Sequence, residues 1–567
     1  MRIDWDLPIE MDDGIVLRAD LFRPISEGRF PVIMAYGGYG KNLRWQEGFP
    51  DAWQQVLDKY PEITEGSSSN YMSWEYVDPE KFVPEGYAVL RVDARGCGRS
   101  PGFVDNMSGR EGQDYYTAIE WAGTQPWSTG KVGLAGVSYL AIMQWQAASR
   151  QPSHLAAMFL WEGGFDPYRD LSRHGGILNT FTRGWFKSQV QRVQHGLGSR
   201  GPTNPYTGIL VAGDEDLSDE ELAANRTDVS DGRLAHFLDD EYYQARAPRG
   251  ELITAPLLSA GNWGGAGLHG RGNIEGYVQA ASDQKWLDVH GGQLWVHFYD
   301  HYGFSLQKRF FAHFLKGEGD WDKQPPVTLQ IRHPGERYVE RSENEWPLAR
   351  TTWTELYLQP ESAALSWEPP TKEQAVSYDS LGPGLTLSTE PFEQETEITG
   401  PVACKLWISS STEDADIFLV LRLFAPDGSE VLFQGAIEPR APLTLGWLRA
   451  SHRKLDPARS TRERPFHAHD EVQPLVPGEI YELDVEIWPT CIVIPPGYRL
   501  ALSVLGRDFD HGLSVAGHSS GRGMRGAGPF LHNDPTDRPP HIFDNQVTVH
   551  SGPAFPSHVL VPVIPAR

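Results

Sequence analysis

The run Lys131-Val132-Gly133-Leu134-Ala135-Gly136-Val137-Ser138-Tyr139-Leu140 constrains this chain more than any other, because it reads as a buried strand that turns sharply into a helix. Ser138 falls on the turn. A serine held between a strand end and a helix start, with glycine two residues earlier, presents its hydroxyl for nucleophilic attack. An ordinary Gly-rich turn would read the same way, so the rest of the chain has to separate the two.

On its N-terminal side, residues 14–24 alternate apolar and polar side chains like a half-buried strand. Pro31-Val32-Ile33-Met34-Ala35-Tyr36 is a continuous apolar run that ends in Gly37-Gly38-Tyr39-Gly40, a fully buried strand followed by a loop. Tyr87 to Val92 repeats the pattern and leads into Asp93-Ala94-Arg95-Gly96-Cys97-Gly98-Arg99-Ser100. Ser108-Gly109-Arg110-Glu111 has capping-box spacing and opens a helix toward Trp127. Strands alternating with helices predict a mainly parallel sheet covered on both faces. Functional residues gather at the carboxyl ends of such strands, so Tyr39, Arg95 and Ser138 should share one rim.

A further strand, His154 to Leu160, ends at Trp161-Glu162-Gly163-Gly164-Phe165-Asp166, after which the pattern breaks. Residues 167–250 are more polar and read as an inserted, largely helical cap. The sheet resumes at Ala255 to Ala260 and at Trp286 to Val289, and Leu306, Phe310, Phe311, Phe314 and Leu315 then mark one helical face. From 326 to 567 short alternating strands with turns such as Pro426-Asp427-Gly428 and Pro495-Pro496-Gly497 predict a β-sandwich, most simply a jelly roll. The expected division is an α/β core in two parts, 1–166 and 251–325, the cap at 167–250, and the sandwich.

The bulk numbers remove several function classes. A net charge of -25 opposes a polyanionic partner, so nucleic acid is not expected. Three scattered cysteines fit a reducing compartment better than a disulfide framework. No signal-peptide pattern opens the chain, and no run of about 18 apolar residues suggests a membrane span, so the chain reads as soluble and cytoplasmic.

Several motifs then occur together: Trp121-x-x-x-Gln125-Pro126-Trp127-x-x-Gly130-Lys131-Val132-Gly133-x-x-Gly136-x-Ser138-Tyr139, the Asp93 to Ser100 loop, Gln144-Trp145-Gln146-Ala147-Ala148, and Ile398-Thr399-Gly400-Pro401. With the order of elements, they resemble the CocE/NonD family of α/β-hydrolases, the cocaine esterase and X-Pro dipeptidyl-peptidase group, over nearly the whole chain. The resemblance implies a serine hydrolase with no cofactor, acting on a small-molecule ester, less readily an amide, through an acyl-enzyme on Ser138. An X-Pro dipeptidyl-peptidase or an α-amino acid ester hydrolase is the alternative within the family, and a degenerate binding protein using the jelly roll is the alternative outside it. Homo-oligomerisation is left open.

A serine needs a histidine to take its proton and an acid to orient that histidine. His290, His297 and His301 follow the last strand of the core, where the α/β-hydrolase order places the base. Trp295-Val296-His297 matches the family's Trp-x-His, which selects His297. The backbone N–H of Tyr139 can serve the oxyanion; the resemblance adds the Tyr39 hydroxyl, with Tyr36 as its alternative. The acid departs from the pattern. The loop Gly261-Asn262-Trp263-Gly264-Gly265-Ala266-Gly267-Leu268-His269 places Gly264 where the family carries aspartate. By analogy with hydrolases that carry the acid one strand earlier, Glu162 is preferred, Asp166 follows, and Glu275 and Asp300 trail. Glu162 could instead bind a substrate amine or pair with an arginine. His467-Ala468-His469-Asp470 has metal-compatible spacing but lacks a third convincing ligand, and no metal is expected. Arg95 is expected to brace the rim.

Overall fold

The computed structural model describes residues 1–516 and 523–566. Its strands run β1 (Arg2–Glu10), β2 (Val16–Arg23), β3 (Phe30–Gly37), β4 (Ala88–Asp93), β5 (Ser128–Val137), β6 (Leu155–Trp161), the short β7 (Arg173–His174) and β8 (Ile177–Leu178), then β9 (Leu257–Asn262), β10 (Lys285–His290), β11 (Val327–His333) and β12 (Arg337–Glu343). Ten of these form one sheet in the order β1-β2-β4-β3-β5-β6-β9-β10-β11-β12. The pairings from β4 across to β11 are parallel. This is the expected α/β-hydrolase sheet.

Strand composition explains the layering. β4 is buried along its whole length, as a strand covered on both faces must be. In β5, Gly133 has no side chain because a Cβ there would lie 2.8 Å from Phe311, on the helix whose apolar face the sequence marks. A Cβ on Gly136 would lie 2.5 Å from the Leu140 Cβ, so only glycine lets the helix Tyr139–Ala148 fold back so closely on its own strand. β3 lies between β4 and β5 although all three run parallel, so the strand order reverses there and a crevice opens between the loops that follow β3 and β5. Tyr39 and Ser138 are on those two loops.

The junction expected at 325/326 is not where the first sheet ends. β11 pairs with β10 from Val327 onward, and β12 pairs antiparallel with β11 as its edge strand. Val327, Leu329 and Ile331 are buried in a cluster with Trp263, Val289 and Cys491, which joins the hydrolase sheet to the second domain. Beyond Thr352, eleven strands among the described residues make a sheet that closes on itself, because the strand His558–Ile564 pairs with both Thr352–Gln359 and Thr396–Ser410. The closed, barrel-like sandwich has its own apolar core.

The insertion is less helical than its composition suggests. It holds the helices Phe181–Trp185, Asp219–Ala224, Val229–Ala235 and Glu241–Gln244, separated by loops and by the β7/β8 hairpin. Ion pairs rather than long helices tie it down: Arg169 bonds Asp239, and Arg173 bonds Asp537 of the second domain.

The loop after β3 is held by a buried charge cluster. Lys41 Nζ lies 2.8 Å from Asp6, 3.3 Å from Asp20 and 3.4 Å from Asp93, and its side chain is fully buried. Burial pulls the Lys41 pKa down, but the three carboxylates outweigh it and raise it; burial pushes Asp20 up to about 6 against the pull of Lys41. Removing one member of a buried ion cluster leaves the others unpaired, so Lys41→Met should destabilise the protein by about 3 to 5 kcal/mol. Urea denaturation followed by fluorescence measures it; a loss below about 1 kcal/mol would mean that the carboxylates neutralise themselves by taking up protons.

Candidate active site

Ser138 has φ 57° and ψ −119°, a left-handed conformation that a serine adopts only where its surroundings force it. The surroundings do so at both ends: Ser138 N–H donates to the Trp161 carbonyl at the end of β6, and its own carbonyl accepts from Ala141 and Ile142 in the helix. Tyr139 is the first helical residue and lines the crevice, so its N–H is one of the donors left free at the start of the helix, at the positive end of the helix dipole.

The hydroxyl meets a histidine that sequence reasoning passed over. Ser138 Oγ is 3.0 Å from Nε2 of His269, the last residue of the loop after β9 and the N-cap of the helix Gly270–Gln279. The ring is buried and burial pushes its pKa down to about 3. Its other nitrogen, Nδ1, accepts the N–H of Gly164 at 3.2 Å. A backbone N–H can only donate, so Nδ1 carries a lone pair and the neutral ring carries its proton on Nε2, directed at Ser138 Oγ.

His297 is not against Ser138. Its Nδ1 is 2.7 Å from Asp300 Oδ2, and Asp300 also caps the helix His301–Phe311. Glu162 is likewise not on His297: Oε1 lies 3.1 Å from His290 Nε2 and accepts from Asn262 at 3.1 Å. His290 reaches Asp288 through Nδ1, stacks on Trp161, and, though burial opposes it, is pushed up to about 9 by those two carboxylates. Glu162 is buried and has φ 44°, and burial raises its pKa. His301 is exposed and pairs with Glu65. Asp166 pairs with Arg169, Glu275 accepts from Gln279 and pairs with Arg464. The expected Ser138, His297 and Glu162 therefore make three separate contacts, Ser138 and Glu162 just beyond β5 and β6 and His297 in the short helix Val296–Tyr299 beyond β10.

The geometry also explains the missing aspartate. A Cβ on Gly264 would sit 2.3 Å from the Cα of Gly435, in the second domain, and Ala436 N–H donates to the Gly264 carbonyl. The backbone of the sandwich occupies the space that a side chain here would need. His269 ends this same loop, ahead of the place where the usual Ser, acid, His order puts the base.

Tyr39 is buried beside Ser138, and its hydroxyl accepts Trp185 Nε1–H at 3.1 Å. Burial raises its pKa, so the hydroxyl stays protonated and keeps a hydrogen to donate. Tyr36 instead stacks on Tyr115 in the core. Tyr139 turns its own hydroxyl away, onto Glu111 at 2.6 and 2.7 Å. Glu111, pushed up to about 8 by burial, accepts Met107 N–H rather than completing the capping box, so the helix Gly109–Thr124 braces the nucleophile's helix. Arg95 bonds Asp114 on the same helix and Asp13 in the turn between β1 and β2, and it is not among the residues that line the crevice.

The crevice is lined by Tyr39, Met107, Ile142, Leu171, Phe181, Trp185 and Leu268 around Ser138 and His269, with Thr182 and Arg233 its further polar members. Leu171, Phe181, Thr182, Trp185 and Arg233 come from the insertion, which roofs the site. His467 and His469 lie elsewhere, buried beside His452 at the boundary with the sandwich, and no group of three metal-ligating side chains occurs among the described residues. No helix among the described residues is long and apolar enough to cross a membrane.

Comparison with known proteins agrees with this architecture. Residues 13–303 match the family model described as X-Pro dipeptidyl-peptidase (S15 family), and residues 319–560 match the X-Pro dipeptidyl-peptidase C-terminal non-catalytic domain. A putative serine esterase of Mycobacterium bovis is 26% identical, with 89% of this chain and 90% of the relative covered. The cocaine esterase of a Rhodococcus species is 25% identical, with 98% and 97% covered. A crystal structure of a CocE/NonD family hydrolase from Staphylococcus aureus superposes with a TM-score of 0.83 at 30% identity, covering 99% of this chain and 94% of that one.

Proposed function

Because the chain belongs to the X-Pro dipeptidyl-peptidase (S15) family of serine hydrolases, enzymes of ester and amide bonds, we propose that it cleaves a carboxylic ester by acyl transfer to Ser138, with His269 as the proton-transfer partner. The observation that carries this reading is the 3.0 Å contact between Ser138 Oγ and His269 Nε2 at a strained strand-to-helix turn.

The chemistry runs from that contact. Ser138 Oγ attacks the acyl carbonyl, and the oxyanion forms beside the Tyr139 N–H and the Tyr39 hydroxyl, donors fixed before the reaction begins. His269 must accept the seryl proton on Nε2, which requires its proton to stand on Nδ1 instead. The Gly164 contact therefore opens before attack, and the resting pair is a dyad awaiting substrate. Protonated His269 then passes its proton to the leaving alcohol, and water, activated by the same ring, releases the acid.

The lining favours an ester over a peptide with a free amino terminus. An amine would need a carboxylate in the pocket, and the described lining residues include none. A fluorophosphonate probe tests the reading: one adduct should form, mapping by peptide mass to Ser138. An unlabelled protein, or a label on another serine, would overturn it.

A further inference from the structure

Arg233 sits in the wall of the crevice that holds Ser138, buried to 5% exposure, and no carboxylate meets it among the described residues. Its Nη1 donates to the Leu171 carbonyl at 2.9 Å and to Thr182 Oγ1, and its Nη2 reaches the Met107 sulfur at 3.6 Å. All three acceptors are neutral, and sulfur is a weak one. The other two buried arginines of the insertion differ: Arg169 pairs with Asp166 and Asp239, and Arg173 pairs with Asp537. A buried cation without a counter-ion is unfavourable unless something supplies the charge, and burial lowers the Arg233 pKa accordingly.

We propose that Arg233 is a substrate-binding residue and that the natural ester carries a carboxylate on a short apolar body. The guanidinium offers a carboxylate the planar pair of donors it binds best. The apolar body would lie against Ile142, Leu171, Phe181 and Leu268. The crevice is narrow, with about 20 Å³ of free space, so a short acid suits it better than a long acyl chain. This inference rests on Ser138 as the nucleophile.

The carboxylate can stand on the acyl side or on the leaving-group side, and two substrate pairs separate these. On the acyl side, 4-nitrophenyl hemiesters of succinic, glutaric and adipic acid, corrected for self-cleavage, are compared with esters in which isopropyl replaces the terminal carboxylate. On the other side, 4-acetoxybenzoate is compared with 4-tolyl acetate. In the wild-type enzyme one charged member should be favoured over its neutral partner by about 10- to 100-fold in kcat/KM, the range of a charge-assisted hydrogen bond. Arg233→Met should collapse that ratio toward one, and Arg233→Lys should keep part of it. If the methionine variant does not fold, the wild-type ratios decide by themselves. Equal or faster turnover of every neutral partner overturns the proposal while leaving the esterase reading intact; no ester turnover and no fluorophosphonate label overturns both.

Discussion

Ser138→Ala should reduce kcat for a 4-nitrophenyl ester by about 10⁵- to 10⁶-fold, the scale of losing the nucleophile from a serine hydrolase. The fold should survive, because the substitution removes one hydrogen bond to His269 while the backbone bonds that force the turn, Ser138 N–H to Trp161 and the helix bonds to the Ser138 carbonyl, remain. Circular dichroism should be unchanged, and melting should shift only by what one hydrogen bond contributes, about 1 kcal/mol. Adding His269→Ala to Ser138→Ala should cost almost nothing more in kcat, because the two side chains act as one unit. A double variant slower than the serine variant by a further 10³-fold would show that His269 acts on the substrate independently of Ser138. What activity remains should come from the preset donors at Tyr139 and Tyr39.

Local patterning made the strands and the nucleophile legible. β3 and β4 are buried, largely apolar runs closed by glycine-containing loops, and the buried second half of β5 turns directly into a helix at Ser138; such runs have few other ways to fold. Gly136 before Ser138 could be read because its reason is local, four residues from Leu140. The base and the acid could not be read in that way. Which histidine meets Ser138 depends on how far each loop reaches back across the rim, and that is set by packing between residues more than 100 positions apart, such as Gly164 with His269 and Gly264 with Gly435. The same holds for the domain junction: β11 and β12 alternate like the strands of the sandwich and are recruited to the first sheet only by pairing with β10. Arg233 was invisible for a related reason, since nothing in a polar insertion distinguishes a surface arginine from one turned into a crevice.

His269→Ala should lower kcat/KM by about 10³- to 10⁴-fold, while His297→Ala should stay within about tenfold of wild type, because the first ring touches the nucleophile and the second is held by Asp300. The pH profile gives an independent reading of the same question. A solvated imidazole titrates near 6.5, and a base of that kind loses activity as pH falls through about 6 to 7. Burial pushes His269 down to about 3, so its neutral, base-competent form persists as pH falls. For a neutral ester, kcat/KM should therefore show no acid limb near pH 6.5 and should stay within about twofold between pH 8 and pH 5. An acid limb at 6 to 7 that persists in His269→Ala would show that the base is a group other than this buried ring and would make the Ser138–His269 contact a resting lock rather than the working pair. The flat profile, by contrast, requires a base held out of water, and His269 is the buried histidine that touches the serine.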